Sequence, residues 1–308
     1  LALVPGLDSI AEVIPVDRGL TPASHFTFAA LFGIRAAIDE ALGDAIDGVV
    51  VVQGTDTIEE TAFFFDLLHA SQKPVVVTGA MRSASAPDYD GPANLRDAVA
   101  AAASPALRDA GVVVVLAGSI EPADDVTKTH ASAFDTFRSL NAGSLGRIVG
   151  GQIRLDRGRG PRRRVSGATR AAERVHLVTA TVAMDGTIVD ALLDRGTDGL
   201  VVEATGAGNT SAGLLAAASR AIAAGIPVVL TTRCPAGAAS DAYAFPGGGA
   251  TWVRAGALMA GHLGGPKARV ALAVGLGAGL DRAGLAALLA DPAPLADGPA
   301  AGVAVGGG

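Results

Sequence analysis

Residues 49–62 read VVVVQGTDTIEETA, and this stretch decides the fold. Four consecutive valines favour an extended strand, because β-branched side chains pack well on a pleated surface. The run stops at Gly54-Thr55-Asp56-Thr57, and a helical pattern begins at Ile58. A short, wholly apolar strand running straight into a helix is the βα unit of a sheet covered on both faces. In open α/β sheets, ligands bind outside the carboxyl ends of the strands. The Thr55 hydroxyl and the Asp56 carboxylate therefore stand where such folds keep their chemistry. Thr57-Ile58-Glu59-Glu60 has the form of a capping box, which accounts for Thr57 and Glu60. Asp56 suits the positive end of the helix dipole. Neither role needs Thr55, so its position leaves a structural and a reactive reading open.

The same alternation continues along the chain. Apolar strand-like runs lie at 48–53, 74–79, 111–117, 175–181, 199–204, 227–232 and 269–274. Helical patterns lie at 28–42, 58–70, 93–103, 188–195, 211–224 and 282–289. This order predicts an α/β fold: a mostly parallel sheet with helices on both faces in a larger N-terminal domain, then a smaller α/β C-terminal domain. Residues 156–174, rich in Gly, Arg and Ser, break the pattern and read as a surface linker. The expected division is 1–155, 156–174 and 175–308. The Ala/Gly/Pro-rich tail at 292–308 reads as frayed.

Composition narrows the function classes. Half of the 308 residues are hydrophobic and 18% are charged, so a sizeable core is available. Net charge is −6, which argues against a nucleic-acid partner. The basic cluster at 157–164 reads as solvated linker. The single cysteine, Cys234, excludes an intrachain disulfide and a cysteine-built metal site, and reads as a small buried residue at a strand end. Five scattered histidines show no metal spacing. No apolar run reaches membrane-spanning length, and the chain is read as cytoplasmic. It opens on Leu1 in mid-pattern, so no targeting segment is read from it.

Two further segments carry candidate chemistry. Residues 74–94, PVVVTGAMRSASAPDYDGPAN, end a strand in the small-residue turn Thr78-Gly79-Ala80. Small side chains there leave backbone groups open to a ligand. The polar loop 82–90 that follows is read as functional. Residues 124–130, DDVTKTH, set Lys128 between threonines and behind two aspartates. A desolvated lysine beside Thr55 could take up its hydroxyl proton.

As a set, QGTDTIEETA at 53–62, VVVTGAMRSASAPDYDGPANL at 75–95 and DDVTKTHASAFDTFRSLNAGSLG at 124–146 resemble the bacterial-type L-asparaginase family, in its order and at its separations. The likeness continues weakly at 206–211, 233–237 and 266–269. The resemblance implies a cofactor-free, metal-free amidohydrolase that converts L-asparagine, and to some extent L-glutamine, to the acid and ammonia. It implies Thr55, Asp56 and Lys128 as a catalytic group. Ser24 would bind the substrate α-carboxylate, Asp56 its α-amino group, and the Ala80 carbonyl its side-chain amide. Gln53 stands where the family commonly has His, and His25 where it often has Gln. The resemblance also implies a homo-oligomer, a dimer of dimers, in which Ser211 lies near a family asparagine that reaches a neighbour's site. The family opens on a strand running into T-G-G-T-I, whose threonine is generally assigned as nucleophile, followed by a lid tyrosine. Neither occurs in residues 1–308, and the expectation is a longer chain that carries them. The competing expectation is an inactive amino-acid-binding or scaffold homologue.

Overall fold

The valine run forms β1 (Val49–Val52) in a computed structural model that describes residues 4–43 and 45–292. Parallel to it lie β2 (Val75–Thr78) and β3 (Val112–Leu116). The chain then turns back through Ala117 and Gly118, both at positive φ, into β4 (Ser119–Pro122). A two-residue turn with φ > 0 at both positions matches the twist of a hairpin. A separate two-stranded hairpin follows, β5 (Val126–Lys128) and β6 (Phe137–Ser139). β7 (Gly146–Val149) and β8 (Gln152–Leu155) then extend the first sheet antiparallel, giving the order β1-β2-β3-β4-β7-β8. The second sheet is wholly parallel. It comprises β9 (Val175–Thr179), β10 (Gly199–Ala204), β11 (Val228–Thr232) and β12 (Leu258–Met259), in the order β12-β11-β10-β9.

Eight α-helices occur among the described residues: α1 (Phe28–Ala41), α2 (Ile58–Leu68), α3 (Gly91–Ala102), α4 (Thr187–Asp194), α5 (Ala212–Ala223), α6 (Gly249–Ala255), α7 (Gly265–Gly277) and α8 (Arg282–Leu289). α3 covers one face of the first sheet, with Ala98 and Ala101 against Val76, Val113 and Val115. α2 covers the other face with Phe63, Phe64 and Phe65. That core passes through α7 to Val175, Val201 and Val229 of the second sheet. α5 and Trp252 close the far face against Leu200, Val202 and Leu230. Helix α7 is thus the layer shared by both sheets.

Four expectations are corrected. Residues 269–274 form the middle of α7, not a strand. The helix buries Lys267, Ala268 and every residue from Val270 to Gly275, so it has no polar stripe, and an all-round apolar run does not distinguish helix from strand. The arginine cluster is not a solvated linker. Arg159, Arg162 and Arg163 have buried side chains, paired with Asp66, Asp124 and Asp291. Their acidic partners are 35 to 128 residues away by position, so local charge pattern cannot reveal them. Cys234 is exposed rather than buried. The capping box does not form: the Thr57 hydroxyl donates instead to the Ala23 carbonyl at 3.2 Å, and no side-chain cap bond is made at the start of α2. The tail at 293–308 lies outside the described residues. No described helix is long and apolar enough to cross a membrane.

Candidate active site

Val52 faces Thr78 across the β1–β2 ladder, so the turns leaving these two strands emerge side by side. The Gln53 amide donates to the Thr78 carbonyl at 3.0 Å. Gly79 lets the turns approach: a Cβ there would sit 2.4 Å from the Gln53 carbonyl oxygen and 3.1 Å from Thr55 Cγ2. Thr55 to Thr57 make a single 3-10 turn that feeds α2. Three acids, Asp56, Glu59 and Glu60, gather at this end of α2, where the helix dipole favours negative charge.

The β5–β6 hairpin brings Lys128 to this turn. Its Nζ donates to Thr55 Oγ1 at 3.0 Å and to Asp56 Oδ1 at 2.9 Å. The Lys128 side chain is 15% exposed and that of Asp56 is 74% exposed. The hydroxyl and the ammonium therefore form a back wall, and the carboxylate stands at the mouth. An open cavity of about 380 Å³ is lined by Asp56, Lys128, Thr129, His130 and Ala131. A larger depression of about 500 Å³ lies between the end of α3 and the β7–β8 turn, but no ionisable side chain lines it. The smaller cavity is the one with groups that can polarise or transfer a proton.

The remaining residues expected at the site lie on adjoining turns. Ser24 is exposed on the 23–25 turn, which packs on the 55–57 turn through the Thr57–Ala23 hydrogen bond. Helix α1 anchors that turn with Phe32, whose ring meets Phe64 edge-on at 5.0 Å. Ala80 is half-buried and directly follows Gly79. Ser211 does not line the cavity; its hydroxyl donates to the Met184 carbonyl at 2.6 Å and accepts from Leu214 N at 3.1 Å. It is spent as the N-cap of α5.

Three contributors escaped the sequence reading. Glu59 Oε2 accepts the Lys128 amide at 2.8 Å and so fixes the backbone of the lysine. Asn94, inside the quoted GPAN, is buried. It donates to the Gly79 carbonyl at 3.0 Å and accepts from Ala117 N at 3.0 Å, tying the ends of β2 and β3 together. His130 lines the cavity, with Nδ1 accepting from the amides of Ser132 and Ala133 at 3.0 Å. The loop at 82–90 is clamped to this hairpin: Arg82 donates to the Ser132 carbonyl at 2.7 Å and stacks 4.1 Å above the Phe134 ring. The Asp90 carboxylate holds the start of the loop, accepting from Met81 N at 3.0 Å and Arg82 N at 2.9 Å.

Residues 1–159 match the family model for the asparaginase N-terminal domain, and residues 174–289 match that for the glutaminase/asparaginase C-terminal domain. The chain is 39% identical over 283 residues to a probable L-asparaginase of Deinococcus radiodurans, covering 91% of this chain and 85% of that one. It is 33% identical over 254 residues to an L-asparaginase of Bacillus licheniformis, covering 82% and 79%. Among solved structures, a probable cytoplasmic L-asparaginase from Campylobacter jejuni superposes with a TM-score of 0.85 at 29% identity, covering 94% of this chain and 91% of that one. The fold, the two domain matches and the sequence identity agree: the chain belongs to the asparaginase family.

Proposed function

We propose that this protein hydrolyses the side-chain amide of L-asparagine to L-aspartate and ammonia, with L-glutamine as a second substrate. The observation that carries the reading is the position of Lys128 Nζ, within hydrogen-bond distance of both the Thr55 hydroxyl and the Asp56 carboxylate. Amide hydrolysis adds water across the C–N bond. The water oxygen bonds to the carbonyl carbon, the C–N bond breaks, and the nitrogen leaves as ammonia with the proton it gains. The protein must orient the attacking oxygen, carry that proton and hold the substrate still.

Each role falls to a group already placed. The Lys128 ammonium occupies a lone pair of Thr55 Oγ1, which directs the threonine proton away from it. Thr55 then orients the water that resolves the acyl intermediate, with Lys128 as its proton partner. Asp56, at the mouth, supplies the counter-charge for the substrate α-ammonium. Ser24 binds the α-carboxylate and the Ala80 carbonyl accepts from the side-chain amide. The family resemblance assigns the first attack to the threonine of T-G-G-T-I. We further assign residues 1–155 and 175–308 to the two domains joined by 156–174, a dimer-of-dimers assembly, and a cytoplasmic compartment.

Ammonia release from L-asparagine tests the reading, measured on residues 1–308 and on the same chain preceded by a T-G-G-T-I strand. The expected result is turnover in the extended form that Thr55→Ala abolishes. L-Aspartate binding by calorimetry without ammonia release from either form would instead make this an amino-acid-binding homologue.

A further inference from the structure

Lys267 lies in the first turn of α7 and is fully buried. Its ammonium donates to the carbonyl of Val126, two residues before Lys128 on β5. The acids nearest to it in charge are Glu59, Asp124, Asp125 and Glu60. Glu59 is also the residue whose carboxylate accepts the Lys128 amide. The strand β5 is therefore gripped at both ends: Val126 C=O by Lys267 from α7, and Lys128 N–H by Glu59 from α2. The two grips are electrostatically linked, because Glu59 is first among the acids whose charge favours the Lys267 ammonium.

This placement opposes what stability alone would select. A cation in the first turn of a helix meets the positive end of the dipole. Burial, ahead of the opposing pull of the four acids, pushes the Lys267 ammonium below its ordinary range. A group whose folded value is depressed contributes stability at pH above its unfolded value and loses it as pH falls through the folded one. At neutral pH this ammonium therefore opposes folding relative to an exposed lysine. Apolar neighbours abound: Ala268, Val270, Ala271 and Leu272 of the same helix pack into the core. A methionine would fill the stem of Lys267 without the charge.

We infer that Lys267 is a positioning residue that holds Lys128 on Thr55 from the C-terminal half of the chain. The inference rests on the reading of Thr55 and Lys128 as the hydrolytic pair. The grip acts across α7, the helix shared by both sheets, so the second half of the chain helps to build a site whose side chains all come from the first. Loss of the ammonium leaves the Val126 carbonyl without its donor and the acids around it, Glu59 first, without a nearby positive charge. β5 then loosens, and the Lys128 amine spends less time within reach of Thr55 Oγ1.

The test is Lys267→Met in the chain preceded by the T-G-G-T-I strand, with two readouts. The first needs no activity: hydrogen exchange of the Lys128 amide by NMR, with the Val114 amide in the core of β3 as internal reference. The expected change is about tenfold or more faster exchange at Lys128 with Val114 unaltered, since local opening is set by local contacts. The second is ammonia release, where kcat falls about tenfold or more while KM moves less than about threefold, the signature of a group acting on the reacting atoms rather than on binding. Unchanged exchange at Lys128 overturns the grip whether or not the protein turns over. Faster exchange with unchanged kcat overturns its role in the reaction. A Lys267-containing extended form that releases no ammonia refutes the hydrolytic reading, and the exchange result still decides the grip. If Lys267→Met does not fold, Lys267→Gln, which keeps an N–H donor without the charge, is read by the same two measurements.

Discussion

Helix α2 carries an acid–cation cluster at each end, and the two differ in almost every respect. At its start, Asp56 and Lys128 meet at an open mouth, with Asp56 74% exposed. At its end, Asp66 is sealed, 2% exposed, between Arg162 at 2.6 Å and Arg159 at 2.9 Å. Asp66 also accepts the Val112 amide at 2.9 Å, which joins α2 to β3. The open pair has little to offer stability, because water screens it and side-chain entropy opposes it. It keeps its valences for a ligand. The closed cluster has no route to a ligand, and its charges are satisfied from within the fold. The difference shows that ion pairs of similar length do different work according to the solvent they face.

The comparison can be broken first at the open end. Thr55→Ala, or Lys128→Met, is expected to lower ammonia release by about three orders of magnitude or more, as removal of one member of a catalytic unit does. The thermal midpoint should stay near that of the parent. Activity within a factor of a few of the parent would mean that the open cluster is ordinary surface. At the closed end the expectation reverses. Asp66→Ala strands the buried Arg162 guanidinium and leaves Arg159 with Asp124 alone, and should cost about 3–5 kcal/mol by urea unfolding, as breaking a buried pair does. A loss below about 1 kcal/mol would show that the cluster is wetter than its geometry implies.

A third prediction sharpens the closed end through pH. His69, at the C-terminus of α2, is buried, and its Nε2 donates to the Lys73 carbonyl at 2.8 Å. Burial first, then Arg162 and Arg35, hold the imidazole below its ordinary range, against the Lys73 carbonyl and Asp66. The neutral ring is thus the native form. Its contribution is full above the unfolded value of about 6.5 and is lost as pH falls toward the folded one, with a slope of at most about 1.4 kcal/mol per pH unit. Urea midpoints at about pH 7.5 and about pH 5.5 should diverge in the parent and converge in His69→Gln. Equal divergence in both would assign the acid sensitivity to other groups. The smallest effect belongs to the open pair: Asp56→Asn should change unfolding free energy by less than about 1 kcal/mol while removing L-aspartate binding. A large stability loss there would erase the distinction between the two ends.

The open end was legible in the sequence and the closed end was not. A strand of four valines, a polar turn and a helix announce themselves over fourteen residues, because each signal is local. β1, β2, β3, β9, β10 and β11 were found for the same reason. The antiparallel strands β4 to β8 were not read; they are short and carry charged residues such as Glu121, Arg138, Arg147 and Arg154 among the apolar ones. Helix α7 was read as a strand because burial on all sides removes the period that would identify it. The arginines at 159 and 162 were read as solvated because their partner, Asp66, sits on another element. Thr57 and Glu60 formed a plausible cap, yet a contact with the 23–25 turn drew Thr57 away. Glu59 and Lys267 were invisible in sequence, since each acts on the backbone of a strand far along the chain. Local chemistry thus found the reacting groups, while the groups that hold them depend on tertiary contact.

The central claim is that Thr55, on the end of β1, and Lys128, on a separate hairpin, work as one unit although 73 positions separate them. A double-mutant cycle on kcat for ammonia release from L-asparagine tests it most directly, with Thr55→Ala, Lys128→Met and the pair combined. The account predicts that the combined variant is no slower than the worse single variant, because either change already disables the unit. Losses that multiply, so that the double variant is slower by the product of the two, would show two independent contributions and contradict it.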